Sequence, residues 1–156
     1  MALQTIVAVT ASGPTFQNGA AHDSKTSFAT VEIAANADAS STYDMHVLPS
    51  SARINPTSSR VYWDDMGTAT GALSVGTVNG ASYDDDSLNS GFDLANASEQ
   101  PMLGRTIPGI EDFGKRLWEL HGLTADPGGF MTIRMKALGA PDVGGTLTSI
   151  CVYVTD

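Results

Sequence analysis

The chain predicts a mainly β fold, an antiparallel β-sandwich or jelly roll with one short helix at about 110–121. Short stretches of alternating apolar and polar residues recur about every ten residues, turn chemistry separates them, and only one segment has helical periodicity. Composition agrees. Charged residues are 16% of the chain, below the roughly one quarter usual in soluble domains, and polarity is carried by Ser, Thr, Asn and 16 glycines. That mixture suits strands and turns better than solvated helices. A length of 156 residues fits one sandwich domain, 1–156, with residues 1–20 as a candidate N-terminal arm.

Leu3–Val9 is the first candidate strand, and Gly13-Pro14 ends it before a polar stretch that runs to Lys25. Phe28, Val31 and Ile33 then stand among Thr30, Glu32 and Asn36. Tyr43, Met45 and Val47 alternate with Asp44, His46 and Leu48, which predicts a half-buried strand with His46 on its polar, outer side. Pro49 and Pro56 bound a turn. Arg60–Trp63 is a strand ending in Asp64-Asp65-Met66-Gly67, and Ala72–Val78 sets Leu73, Val75 and Thr77 on one face. Asn79-Gly80 is a hairpin signal, because both residues tolerate positive φ.

A strand begun at Ala81-Ser82-Tyr83 is expected to be cut short by Asp84-Asp85-Asp86, and 87–109 has no readable period. The helix is expected over Ile110–His121. Glu111 and Asp112 lie in its first turn, Phe113, Leu117, Leu120 and His121 fall on one side, and Gly122 stops it. Met131, Ile133, Met135 and Ala137 then alternate against Thr132, Arg134 and Lys136. In the last strand, Ile150, Val152 and Val154 alternate against Ser149, Cys151 and Tyr153.

The net charge of −9, from 17 acidic and 8 basic side chains, repels phosphate backbones and argues against direct nucleic-acid binding. The N-terminus lacks the basic start of a secretion signal, and no apolar run approaches the roughly 20 residues of a membrane span. The expectation is a protein made in a reducing cytoplasm, without a membrane partner. The lone Cys151, between Ile150 and Val152, reads as a small core residue rather than a nucleophile. His22, His46 and His121 have no zinc-ligand spacing, and His121 suits a helix C-terminus.

Asp84 and Asp86 are the only metal candidates, because alternate carboxylates on a loop can chelate calcium. Leu88 breaks the EF-hand pattern, and a solvated acidic loop is the simpler reading. Gly-x-Ser-x-Gly, Ser-x-x-Lys and Gly-Lys-Ser/Thr motifs are all absent, so no catalytic residue, no cofactor and no enzyme is predicted. Trp63 and Trp118 sit among periodic apolar residues and read as core.

Three blocks occur in order over 43–154: Val47-Leu48-Pro49-Ser50-Ser51-Ala52-Arg53-Ile54; the strand leading into Asp64-Asp65; and Leu117-Trp118-Glu119-Leu120-His121-Gly122-Leu123-Thr124-Ala125-Asp126-Pro127-Gly128-Gly129. Together they resemble the capsid decoration, or cement, proteins and minor virion structural proteins of tailed bacteriophages. The resemblance implies a virion protein on the capsid surface that binds the major capsid protein without chemistry, and because oligomers follow symmetry a homotrimer with copies of itself is the expected assembly. Interface candidates are Leu3, Ile6, Val7 and Val9 on the first strand, with Trp63, Asp64 and Asp65. The alternative is a carbohydrate-binding β-sandwich module, which needs exposed aromatic platforms.

Overall fold

Among the described residues, eleven strands and one short helix follow one another: β1 (Thr5–Val7), β2 (Val9–Ala11), β3 (Lys25–Ile33), β4 (Thr42–Pro49), β5 (Arg53–Ile54), β6 (Arg60–Trp63), β7 (Ala72–Asn79), β8 (Ser82–Asp93), β9 (Ser98–Pro101), α1 (Leu117–Leu120), β10 (Phe130–Ala137) and β11 (Gly145–Val154). They are seen in a computed structural model that describes residues 5–7, 9–11, 24–67, 71–104, 112 and 114–155. One sheet has the order β1-β4-β10-β7-β8 and the other β2-β3-β11-β6-β9, with β5 also paired to β11. The described ladders are antiparallel except for β1 against β4. The predicted antiparallel sandwich with one short helix is what forms.

The core is the alternating set of each sheet's inner face. Ala29, Val31 and Ile33 of β3, Val61 and Trp63 of β6 and Leu147 of β11 meet Tyr43, Met45 and Leu48 of β4, Leu73 and Val75 of β7, and Met131, Ile133 and Met135 of β10. Trp63 packs edge-on against Phe92 of β8, with ring centroids 5.4 Å apart, and its Nε1 donates to the Asn96 carbonyl at 3.0 Å.

Four elements differ from the sequence expectation. In β4 the register slips between Ile133/Arg134, so that Ile133 pairs His46 while Arg134 pairs Asp44. Met45 is the extra residue of a bulge. His46 and Leu48 therefore turn inward and Val47 outward; His46 is buried, not on the surface. The Asp84–Asp86 run does not end its strand, because β8 extends to Asp93 through two register shifts against β7. An ideal Cβ on Gly76 would lie 1.8 Å from the Asp84 carbonyl oxygen, so a side chain there would block this path.

The helix is confined to Leu117–Leu120: Arg116 is extended, at φ −75° and ψ 159°, and bridges Arg53. Gly114, at φ +79°, turns the chain just before it. Ile110, Glu111 and Phe113 lie outside the described residues. In β11 the inward set is Leu147, Ser149 and Cys151, leaving Ile150 and Val152 on the outer face. The hairpin signal is placed correctly, although Asn79 pairs Ser82 and the two-residue loop is Gly80-Ala81, with Gly80 at φ +58°.

Candidate interaction surfaces

The first and third of the blocks that carry the family resemblance, 47–54 and 117–129, come together at one end of the sandwich. Ser50 donates from its hydroxyl to Asp126 Oδ1 at 2.6 Å and from its amide to the Gly129 carbonyl at 3.0 Å. Leu117 N–H donates to the Ala52 carbonyl at 2.9 Å, and Phe130 pairs Pro49. Glu119 Oε2 accepts from the Arg116 N–H at 2.7 Å and so fixes the start of α1. The Ser50 hydroxyl and the Gly128 N–H hold the Asp126 carboxyl below the usual carboxylate range. These residues brace a turn. His121 ends α1 through its backbone N–H, but its side chain does not act as the expected C-terminal cation: the ring is buried and Nδ1 shares a 2.5 Å hydrogen bond with Thr77 Oγ1.

Because strand direction alternates, segments 34–41, 64–67, 94–97 and 138–144 gather at the opposite end. Backbone hydrogen bonds tie them: Asn36 N–H to the Pro141 carbonyl at 2.7 Å, Met66 N–H to the Leu94 carbonyl at 3.0 Å, and Val143 N–H to the Met66 carbonyl at 3.2 Å. These loops and the strand ends beside them carry Glu32, Asp38, Asp64, Asp65, Asp93 and Asp142, against one basic residue, Lys136, which pairs with Asp85.

Several of these carboxylates hold their own turns. Asp64 Oδ2 accepts from Thr146 N–H, Asp65 Oδ1 from Gly67 N–H and Asp93 Oδ1 from Ala95 N–H, each at 2.9 Å. Among the described residues none of the six ion-pairs with a basic side chain. The half-exposed side chains of Leu138 and Val143 lie among them, at 46% and 53%. The acidic end therefore offers exposed apolar side chains, Leu138 and Val143, on loops that also carry carboxylates.

The outer face of the five-stranded sheet is built from ion pairs. Arg134 grips Asp44 in a two-pronged pair and lies over the Tyr83 ring, 5.6 Å from its centroid; Lys136 reaches Asp85 at 2.7 Å. Burial raises the Tyr83 hydroxyl's pKa. Exposed Val47 and Phe130 flank this network near the braced turn. The outer face of the other sheet, across β3, β11 and β6, presents Phe28, Thr30, Thr148, Ile150 and Tyr62.

Of the interface candidates, Asp64 and Asp65 lie on the acidic end. Ile6 and Val7 pair Tyr43 and Asp44 and Val9 pairs Thr30, which makes this segment an edge strand of both sheets in turn. Trp63 is a core residue, 4% exposed. Leu3 and His22 lie outside the described residues. Asp84 and Asp86, with Asp85, bring carboxylate oxygens within 4.8 Å of one another, but Asp85 is engaged by Lys136. Burial raises the Asp84 carboxyl above its ordinary value.

Cys151 is buried, and desolvation pushes its thiol up to about 12. His46 Nε2 bonds Ser149 Oγ and Nδ1 bonds Ser27 Oγ at 2.9 Å, yet no carboxylate among its hydrogen-bond partners orients the ring for nucleophilic chemistry. Residue-by-residue reading missed Asp38, Asp93, Asp142, Leu138 and Val143 as neighbours of Asp64 and Asp65. Counting charge in every second loop would have found the three carboxylates.

No protein-family model matches the chain, and no curated protein does. Two solved structures match over nearly the whole fold. A chain in the capsid of Ralstonia phage GP4 has a TM-score of 0.64 at 15% identity, covering 88% of this chain and 88% of that one. A chain in the capsid asymmetric unit of cyanophage Pam1 has a TM-score of 0.53 at 15% identity, covering 88% and 89%. At that identity the likeness is one of fold.

Proposed function

We propose that this chain is a structural protein of a tailed-bacteriophage virion, a non-enzymatic capsid decoration protein that binds the major capsid protein and reinforces the shell. The observation that carries this reading is the end-to-end fold match with a chain of a phage capsid, which extends over 88% of both chains. The braced turn and the absence of a catalytic constellation among the described residues support it, since a cement protein contributes surface rather than chemistry.

In this reading the acidic end is the docking surface. Asp38, Asp64, Asp65, Asp93 and Asp142 face basic positions on the capsid partner while Leu138 and Val143 enter apolar contact. Opposed charge of this kind steers association and sets register, and salt screens it. The test is sedimentation of the purified chain with phage heads that lack it. Wild type is expected to pellet with the heads, and Asp64→Lys with Asp65→Lys to stay in the supernatant while remaining folded. Equal pelleting of the two proteins removes the acidic end from the account; failure of wild type to pellet removes the decoration role.

A further inference from the structure

We infer that the bulge in β4 is a two-position device: on acidification it moves two residues along the strand, which carries His46 out to solvent and brings Val47 into the core. The inference goes beyond the decoration role and does not depend on it. Its first ground is register. With Met45 as the extra residue, Ile133 pairs His46, Thr132 pairs Val47 and Met131 pairs Leu48. With Val47 as the extra residue instead, Ile133 pairs Met45 and Thr132 pairs His46, while Arg134–Asp44 and Met131–Leu48 on either side stay as they are. Because side chains alternate along a strand, only His46 and Val47 exchange faces between the two positions. Tyr43, Met45 and Val47 then lie inward together, which is the plain alternation of the sequence.

The second ground is how little backbone holds the bulge in place. Among the described residues β1 pairs β4 only over Thr42, Tyr43 and Asp44, so from Met45 onward the strand is bonded on one side, to β10. Moving the bulge re-forms that ladder and breaks no second one, and bulges gather at such edges. Val47 is 60% exposed, so turning it inward buries apolar surface. Against the move stand the hydrogen bonds that the neutral ring shares with Ser149 Oγ through Nε2 and with Ser27 Oγ through Nδ1.

The third ground is charge. Ser27 of β3, Ser149 and Cys151 of β11 and Ile133 of β10 face the ring, and the Cys151 thiol holds its proton up to about 12. Farther along the same face, Lys25 donates to Thr155 Oγ1 at 3.0 Å and lies across from Tyr153. No carboxylate is among these groups, so an imidazolium formed there has no counter-charge, and burial keeps the ring neutral down to about pH 4. On the outer face His46 stands in water, two residues from the Asp44 carboxylate that grips Arg134. Each pH unit below about 6.5 therefore tilts the balance about tenfold toward the outward position, about 300-fold by pH 4.

The experiment is methyl and imidazole NMR on the full chain with a neutral, soluble paramagnetic probe, at about pH 7 and about pH 4. At the higher pH the Val47 methyl signals are expected to be broadened by the probe and the His46 ring signals to be sheltered from it. At the lower pH the two are expected to change places, with Val47 losing most of its broadening, while the buried Leu73 and Val75 methyls stay sheltered and the far-ultraviolet spectrum is unchanged. His46→Gln, which cannot take up the proton, is expected to leave Val47 exposed at both pH values. A Val47 that stays exposed at about pH 4 in the folded wild type overturns the inference. So does an exchange of faces that persists in His46→Gln, and so does loss of the whole fold before Val47 responds. Because no capsid is present, these results stand apart from head binding.

Discussion

His46 links the two sheets: it belongs to β4, and its ring nitrogens bond Ser27 of β3 and Ser149 of β11. Complete burial disfavours the imidazolium and lowers its pKa from 6.5 to about 4. In the unfolded chain the ring takes a proton near pH 6.5, while in the fold it resists until about pH 4. Its contribution to stability is therefore whole above about pH 6.5 and is lost as the pH falls toward 4, about 3 kcal/mol in all. The thermal midpoint of wild type should fall more steeply between pH 7 and pH 4.5 than that of His46→Gln; parallel curves would refute this. The Cys151 thiol, raised to about 12 and enclosed, should react with a disulfide reagent only at the rate of unfolding. Fast labelling of the native protein would contradict its placement.

At the scale of elements, alternation decides faces well until a bulge intervenes. β10 alternates as its sequence reads, with Met131, Ile133, Met135 and Ala137 all inward, whereas in β3 Phe28, read with Val31 and Ile33, lies outward and Ala29 takes its place inside. In β4 one extra residue at Met45 inverts the remainder of the strand, and no composition rule marks it. β11 shows a different limit. Its period is regular, but period alone does not say which face is inside, and the small Ser149 and Cys151 are chosen over Ile150 and Val152. The acidic start of β8 was unreadable because Asp84–Asp86 looks like loop, yet Gly76 makes room for its backbone against β7. Gly76→Ala should therefore cost more than the 1–3 kcal/mol of ordinary overpacking, because the obstacle is backbone. Chemical denaturation measures it, and a loss below about 1 kcal/mol would show that the two strands part easily.

For the whole molecule the governing property is the distribution of charge. Strand order puts every second loop at one end, and that end holds six carboxylates against one basic residue, Lys136, which Asp85 engages. Asp64 and Asp65 were legible as a pair in sequence; their company was not, because Asp38 and Asp142 are about a hundred residues apart and only the fold unites them. Attachment through this end should weaken steeply as salt rises from about 0.05 M to about 0.5 M, over which the screening length shrinks several-fold. Attachment that is indifferent to salt would point to an apolar surface such as Val47 and Phe130. The most direct test of the central claim is quantitative protein composition of purified particles of the parent phage. The account predicts this chain in many copies per particle, in a fixed ratio to the major capsid protein; its absence from particles, with the chain recovered only free in the lysate, would contradict it.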